Sequence, residues 1–399
     1  MDPGDDDPAR QRTAFQLVVP GLGFMSALSL PAAPVTSAPH VPNRPSWWRL
    51  RLTVLAFAPI ALVSGLVGGL WRLGWDVAGG AGLAALHGPL MISGLFGTLI
   101  SLERAVAFGR WWGYAAPVLS ALGTVALLSG APLFFGATTH FVAAGVLAIV
   151  SGLIVRAQPA VFTVALLLGA LAWGTGSLLW LAGEEIPRVV GWWIAFLLLT
   201  IAGERLEMSR LLPPRRGSQV LFTISVALIV AGAVRGVVDE AGARIYGLGL
   251  LACASWLLRH DIARRNIRAA GASRYFAACM LAGYVWLGVA GAFLAIASPS
   301  STFRYDIALH AVLIGFVLSM VFGHALIILP ALTGLRIGYS PVLFAPLAIL
   351  HLSLAMRIGG GLGEWNQLRQ WSGVGTALAI LIFAAGVVWC AARARRHPP

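Results

Sequence analysis

The stretch DIALHAVLIGFVLSMVFGHALIILPAL, Asp306 to Leu332, decides the fold class. Its one acidic residue stands first, and apart from two histidines and a serine the rest is apolar or small. At about 1.5 Å per residue, a helix of this length crosses a hydrocarbon core of about 30 Å. Lipid offers the backbone no hydrogen-bond partner, so a segment this apolar satisfies its amides internally, as a helix.

The same pattern recurs on both sides of this stretch, from Leu52 to Val388, with short polar breaks. Twelve spans are predicted, roughly 52 to 70, 80 to 102, 113 to 131, 134 to 155, 160 to 182, 189 to 203, 218 to 238, 244 to 258, 274 to 298, 306 to 332, 340 to 357 and 371 to 391. Hydrophobic residues make up 58% and charged residues 11% of the 399, a balance that excludes a water-soluble enzyme. The chain reads as an all-α polytopic membrane protein of about twelve transmembrane helices.

Residues 1–46 hold Asp2, Asp5, Asp6, Asp7 and several prolines, and read as a disordered cytoplasmic tail. The apolar piece Leu17 to Leu30 is broken by Pro20 and Gly21, and reads as a surface-lying segment. Residues 47–392 form the twelve-helix domain and 393–399 a basic cytoplasmic tail. No loop after Trp47 is long enough for a second domain, so any chemistry belongs inside the bundle.

The net charge of +13 comes from 28 basic residues, all arginine. With a cytoplasmic N-terminus, 21 of them fall on the inner side and seven on the outer. That asymmetry is the positive-inside rule; it places both termini in the cytoplasm of a bacterial inner membrane, with the lipid bilayer as the first partner. Scattered among loops, the arginines do not form the single face that nucleic acid would need. Cys253, Cys279 and Cys390 are isolated and read as packing residues. The 47 glycines read as close helix contacts. Trp111, Trp112, Trp192 and Trp193 stand near span ends and read as interfacial anchors.

Ile100-Ser101-Leu102-Glu103-Arg104, ending span 2, is echoed by Ile201-Ala202-Gly203-Glu204-Arg205, ending span 6. Either the Glu-Arg pairs mark where helices leave the membrane, or the bundle repeats a four-helix unit with spans 2, 6 and 10 as equivalents.

An ionisable side chain inside a bilayer needs a partner or a role. Four histidines qualify: His87 in span 2, His310 and His324 in span 10, and His351 in span 11. His140 stands near the start of span 4, within reach of water; His40, His260 and His397 lie outside the membrane. His87 is expected about seven residues into its span and His310 about four into its own, which puts both in the outer half at similar depth. Two imidazoles at one depth on separate helices are what a low-spin haem takes as axial ligands.

His87-Gly88-Pro89-Leu90-Met91 resembles the His-Gly-x-x-Met motif on the second helix of subunit I of the haem-copper oxidases, whose histidine is an axial ligand of the low-spin haem. In that family the other axial histidine lies on the tenth helix, followed twenty residues later by a proline; here His310 is followed by Pro330-Ala331-Leu332-Thr333-Gly334. The resemblance implies an oxidase-like bundle, haem b on His87 and His310, and propionate pairing by Arg357 and Arg369, placed in the outer loop of spans 11 and 12 with Trp365. It stops short of the oxygen-reducing centre: Ala308 replaces the high-spin ligand, and spans 6 and 7 hold no histidine to bind copper there. Oxygen reduction is therefore not expected.

The chain is also similar to the NnrS-type membrane proteins of nitric-oxide stress, through His87 with Met91 and Gly94 and through His310-Ala311 with Gly315, although Pro89 departs from their usual second histidine. These likenesses imply electron transfer with redox partner proteins, or a role in nitric-oxide or metal stress, and leave copper open. His324 and His351, at comparable depth on antiparallel spans, are expected to meet as a second metal site or as a satisfied structural pair. A twelve-span carrier or a haem-free scaffold is the alternative class.

Overall fold

The structure is a computed structural model that describes residues 47–209, 217–296 and 303–396. The predicted tail 1–46 lies outside the described residues, as do His40 and His397. Twelve helices are long and apolar enough to cross a membrane: Trp47–Arg72 (span 1), His87–Phe108 (span 2), Trp111–Leu128 (span 3), Leu133–Ala157 (span 4), Val161–Leu181 (span 5), Ile186–Met208 (span 6), Ser218–Arg235 (span 7), Glu240–His260 (span 8), Gly271–Ile296 (span 9), Arg304–Thr333 (span 10), Pro341–Leu362 (span 11) and Asn366–Arg395 (span 12). Among the described residues there is no strand, and the chain is an all-α multi-pass membrane protein. Span 12 continues without a break past residue 392, so the basic end of the chain starts as helix.

Span 2 departs most from its expected limits. The residues expected to open it form a separate turn of helix, Gly80–Ala84, entered through Gly79 at φ 75°. The long helix then starts at His87. Pro89 sits in its first turn, where no backbone N–H is required and a fixed φ favours initiation. His87 is therefore the first residue of its span and not the seventh, while His310 is seventh in span 10.

Consecutive spans pack side by side, and span 12 returns to touch span 1. Apolar side chains such as Val63, Phe134 and Val388 face outward, which suits lipid and would be a liability in water. Spans 2, 6 and 10 are the interior: 61%, 72% and 61% of their apolar windows are buried, more than in any other span. They stand four apart in sequence, as the repeat reading expects.

Polar contacts hold these inner helices. Trp173 of span 5 donates its indole N–H to Ser93, and Ser120 of span 3 donates to the Ser93 carbonyl. The echoed Glu-Arg pairs meet directly, because Arg104 of span 2 forms an ion pair with Glu204 of span 6. The next residue, Arg205, lies 3.8 Å from Asp261, which accepts a hydrogen bond from Tyr284 of span 9. The pairs thus join helices instead of only marking their exits. Glu204→Ala leaves Arg104 without its partner in a half-buried place, and is expected to destabilise the protein by about 2 kcal/mol. Unfolding titrations of Glu204→Ala, Arg104→Met and the double variant in detergent check this, the double variant being less unstable than the sum of the singles.

Two expectations are corrected. Trp193 is fully buried, 5.7 Å from the Trp180 ring, and packs on Gly176; it is a core residue of the most buried span, not an interfacial anchor. His140 is also fully buried, with Nδ1 bonded to the Gly136 carbonyl and its ring against Gly123, so it does not reach water. Trp111 is exposed and the three cysteines are buried, as read from the sequence. His260 ends span 8 and packs edge-on against Trp256.

Candidate functional site

His87 and His310 line one cavity of about 300 Å³, at the end of the bundle where the even-numbered spans begin. Span 1 forms one wall, closely, because Gly65 and Gly69 carry no side chain. A Cβ at Gly69 would lie 2.8 Å from His87 Cε1, and one at Gly65 would lie 2.8 Å from Met91 Sδ. Met91 follows His87 by one turn and lines the same cavity.

The imidazoles are held alike. His87 Nδ1 is 2.7 Å from the Gly65 carbonyl, and His310 Nδ1 is 2.8 Å from the Asp306 carbonyl. A carbonyl only accepts, so each Nδ1 carries the hydrogen and each Nε2 keeps a lone pair. Fixing the tautomer through Nδ1 is how proteins orient a histidine whose Nε2 is to bind a metal.

Each histidine leads into a π-helical segment, Leu90–Gly97 in span 2 and Ala311–Leu318 in span 10. Such widened turns occur mostly as insertions in α-helices, often at functional sites. The one in span 10 packs against span 9: a Cβ on Gly315 would lie 2.5 Å from the Trp286 side chain.

Asp306 organises the wall beneath His310. Its carboxylate accepts two hydrogen bonds from Arg357, at 3.0 Å from Nε and 2.7 Å from Nη2. Arg369 Nη2 lies 3.6 Å away and His310 Nδ1 3.2 Å. Arg357 is therefore not a loop residue: it lies inside span 11, 8% exposed, with its fork turned to Asp306. Arg369 stands in the first turn of span 12, 3.9 Å over the Phe303 ring, and its Nε has no hydrogen-bond partner. Of Arg357, Trp365 and Arg369, only Trp365 lies in the loop between those spans.

Asp306 and Arg72 were not singled out from the sequence. Asp306 has a legible signal, an acid one helical turn before the ligand-type histidine in the quoted stretch. Arg72 ends span 1 and lines the cavity beside Arg357 and Arg369. Three arginines against one aspartate leave this wall with a surplus of two positive charges.

His324 and His351 do not form the expected pair. His324 sits edge-on to Phe276, with Nδ1 bonded to the Met320 carbonyl. His351 accepts a 2.9 Å hydrogen bond at Nδ1 from the Trp286 indole. Phe276 and Trp286 are about 15 Å apart along span 9, and neither Nε2 has a hydrogen-bond partner, so the rings are not joined. An indole only donates, so the His351 Nδ1 lone pair is engaged and its Nε2 carries the hydrogen. As placed, His351 offers no lone pair to a metal. Among the described residues, no group of three or more His, Cys, Asp or Glu side chains could hold a metal ion.

A family model described as Domain of unknown function (DUF8744) matches residues 51–392. No curated protein matches the chain.

Proposed function

We propose, starting from a chain that belongs to the DUF8744 family over nearly its whole bundle, that His87 and His310 hold a haem b and that the protein moves single electrons within the membrane. One observation carries this reading: two imidazoles on separate inner helices line one cavity, each fixed through Nδ1 with Nε2 bare. The wall fits such a group in charge as well, since two propionates would offset the surplus of two positive charges. With Arg357 engaged by Asp306, Arg369 and Arg72 are the cations better placed to receive them.

A haem held on both faces carries one electron and has no open position for oxygen. The protein's part is to exclude water, orient the two rings and supply counter-charge. The arginine distribution favours an inner bacterial membrane with both termini cytoplasmic, which sets the cavity towards the periplasm. Redox partner proteins, or a nitric-oxide or metal stress pathway, would then meet it on that side.

Met91 favours a second reading. A thioether beside two bare imidazole nitrogens is a donor set that copper(I) accepts.

The test is an optical and metal analysis of the detergent-purified protein. Bis-histidine haem b is expected, with its reduced-minus-oxidised band lost in His87→Ala and in His310→Ala and kept in His351→Gln. Copper in place of haem, lost in Met91→Leu, would select the second reading. A colourless, metal-free preparation from cells supplied with haem and copper would overturn both in favour of a carrier or scaffold.

A further inference from the structure

We infer that the groove between spans 8 and 9, at the end of the bundle opposite the histidine cavity, binds the headgroup of an anionic phospholipid. The inference is independent of the haem reading.

Two faces of different chemistry line the groove. Arg259 and Arg264 lie on one side, while Leu258, Ile267 and Leu281 supply apolar surface. It is a wide, open depression of about 470 Å³. Leu258 and Leu281 are half-buried residues of spans 8 and 9, and Ile267 comes from the connector joining them; Arg259 stands at the end of span 8 and Arg264 in the connector. A molecule with a negative head and hydrocarbon chains matches both faces; a soluble anion matches only one.

Electrostatics around the groove point the same way. Residues 259–274 contain Arg259, Arg264, Arg265, Arg268 and Arg274 against one acid, Asp261. That acid is turned inward and buried: Oδ1 accepts the Ala263 N–H at 2.7 Å, Oδ2 accepts the Tyr284 hydroxyl at 3.0 Å, and Arg205 lies beyond. The same Ala263 contact pins the start of the short helix Ala263–Asn266, which projects Arg264 outward. Asp261 thus builds the connector while withdrawing its own charge, and Arg259, Arg264, Arg265 and Arg268 stand exposed at and around the groove. Basic pockets between membrane helices are recognised sites for acidic headgroups.

Native mass spectrometry of the full chain, released from nanodiscs of equal phosphatidylglycerol and phosphatidylcholine, tests this. Wild type is expected to retain phosphatidylglycerol preferentially. Arg259→Gln/Arg264→Gln is expected to lose about twenty-fivefold of that preference, taking about a factor of five for each arginine. A control pair at the other end, Arg235→Gln/Arg244→Gln, should keep it, and unchanged thermal unfolding shows that the double variant is folded. Equal retention of both lipids, or unchanged preference in the double variant, would overturn the inference. So would displacement of the lipid by millimolar inorganic phosphate, which would make this a free-anion site.

Discussion

Asp306→Ala is expected to destabilise the protein by about 3 kcal/mol, near the low end for removing one partner of a buried ion pair because 24% of the Asp306 side chain remains accessible. The loss is larger than one hydrogen bond would give. Arg357, 8% exposed, would keep its charge with both fork contacts gone, and Arg369 would lie beside it as a second unneutralised cation. Unfolding titrations in detergent check the value. Arg357→Met, which removes charge but keeps bulk, should restore at least half of the loss in the double variant, since the main cost is the stranded guanidinium. Asp306→Asn should fall between wild type and alanine: it keeps an acceptor for one Arg357 N–H but removes the charge. Asp306→Ala within about 0.5 kcal/mol of wild type would mean that the network contributes nothing to stability.

The fold was legible because lipid imposes one rule everywhere. Any apolar run of the right length must be a helix, so hydropathy alone placed twelve spans within a few residues of where they lie. The largest difference, at the start of span 2, came from local chemistry that hydropathy ignores: Gly79 at positive φ and Pro89 in the first turn moved the helix start to His87. Trp193 was misread for a related reason. Position near a span end suggests an anchor, but span 6 is the central helix, and there even its end residues are covered by neighbours.

At the site, the sequence carried which histidines and which helices, but not what faces them. His87 and His310 were paired from an expected similar depth; span 2 in fact starts at His87 and His310 is seventh in span 10, yet the two line one cavity. Depth says nothing about azimuth. Nor did span limits fix depth itself: His324 and His351, expected at comparable depth, meet residues ten positions apart on span 9. Arg357 shows the same limit. Its charge suggested a loop, whereas the carboxylate of Asp306 on the adjacent span lets it remain inside the membrane.

Gly68→Ala is expected to destabilise the protein by about 3 kcal/mol, and Gly69→Ala to disable the His87 position with a smaller effect on stability. Both follow from how closely span 1 approaches its neighbours. A Cβ on Gly68 would lie 2.3 Å from the Leu83 carbonyl oxygen and 2.7 Å from its carbon. Those are backbone atoms, so no rotamer change relieves the clash, and span 1 must move away from the Gly80–Ala84 turn. On Gly69 the added methyl meets a side chain instead, 2.8 Å from His87 Cε1 and 2.9 Å from Nδ1. The imidazole can swing aside, but only by leaving the Gly65 carbonyl, now 2.7 Å away, and so losing the contact that fixes its tautomer. Gly82→Ala is the control, because nothing lies within 4 Å of its Cβ, and helix propensity should make it neutral or slightly stabilising. Unfolding titrations rank the three variants. On the haem reading, Gly69→Ala should also lower haem content about as much as His87→Ala does while staying folded. A Gly69→Ala protein with wild-type haem content would show that the exact seat of the His87 ring does not matter.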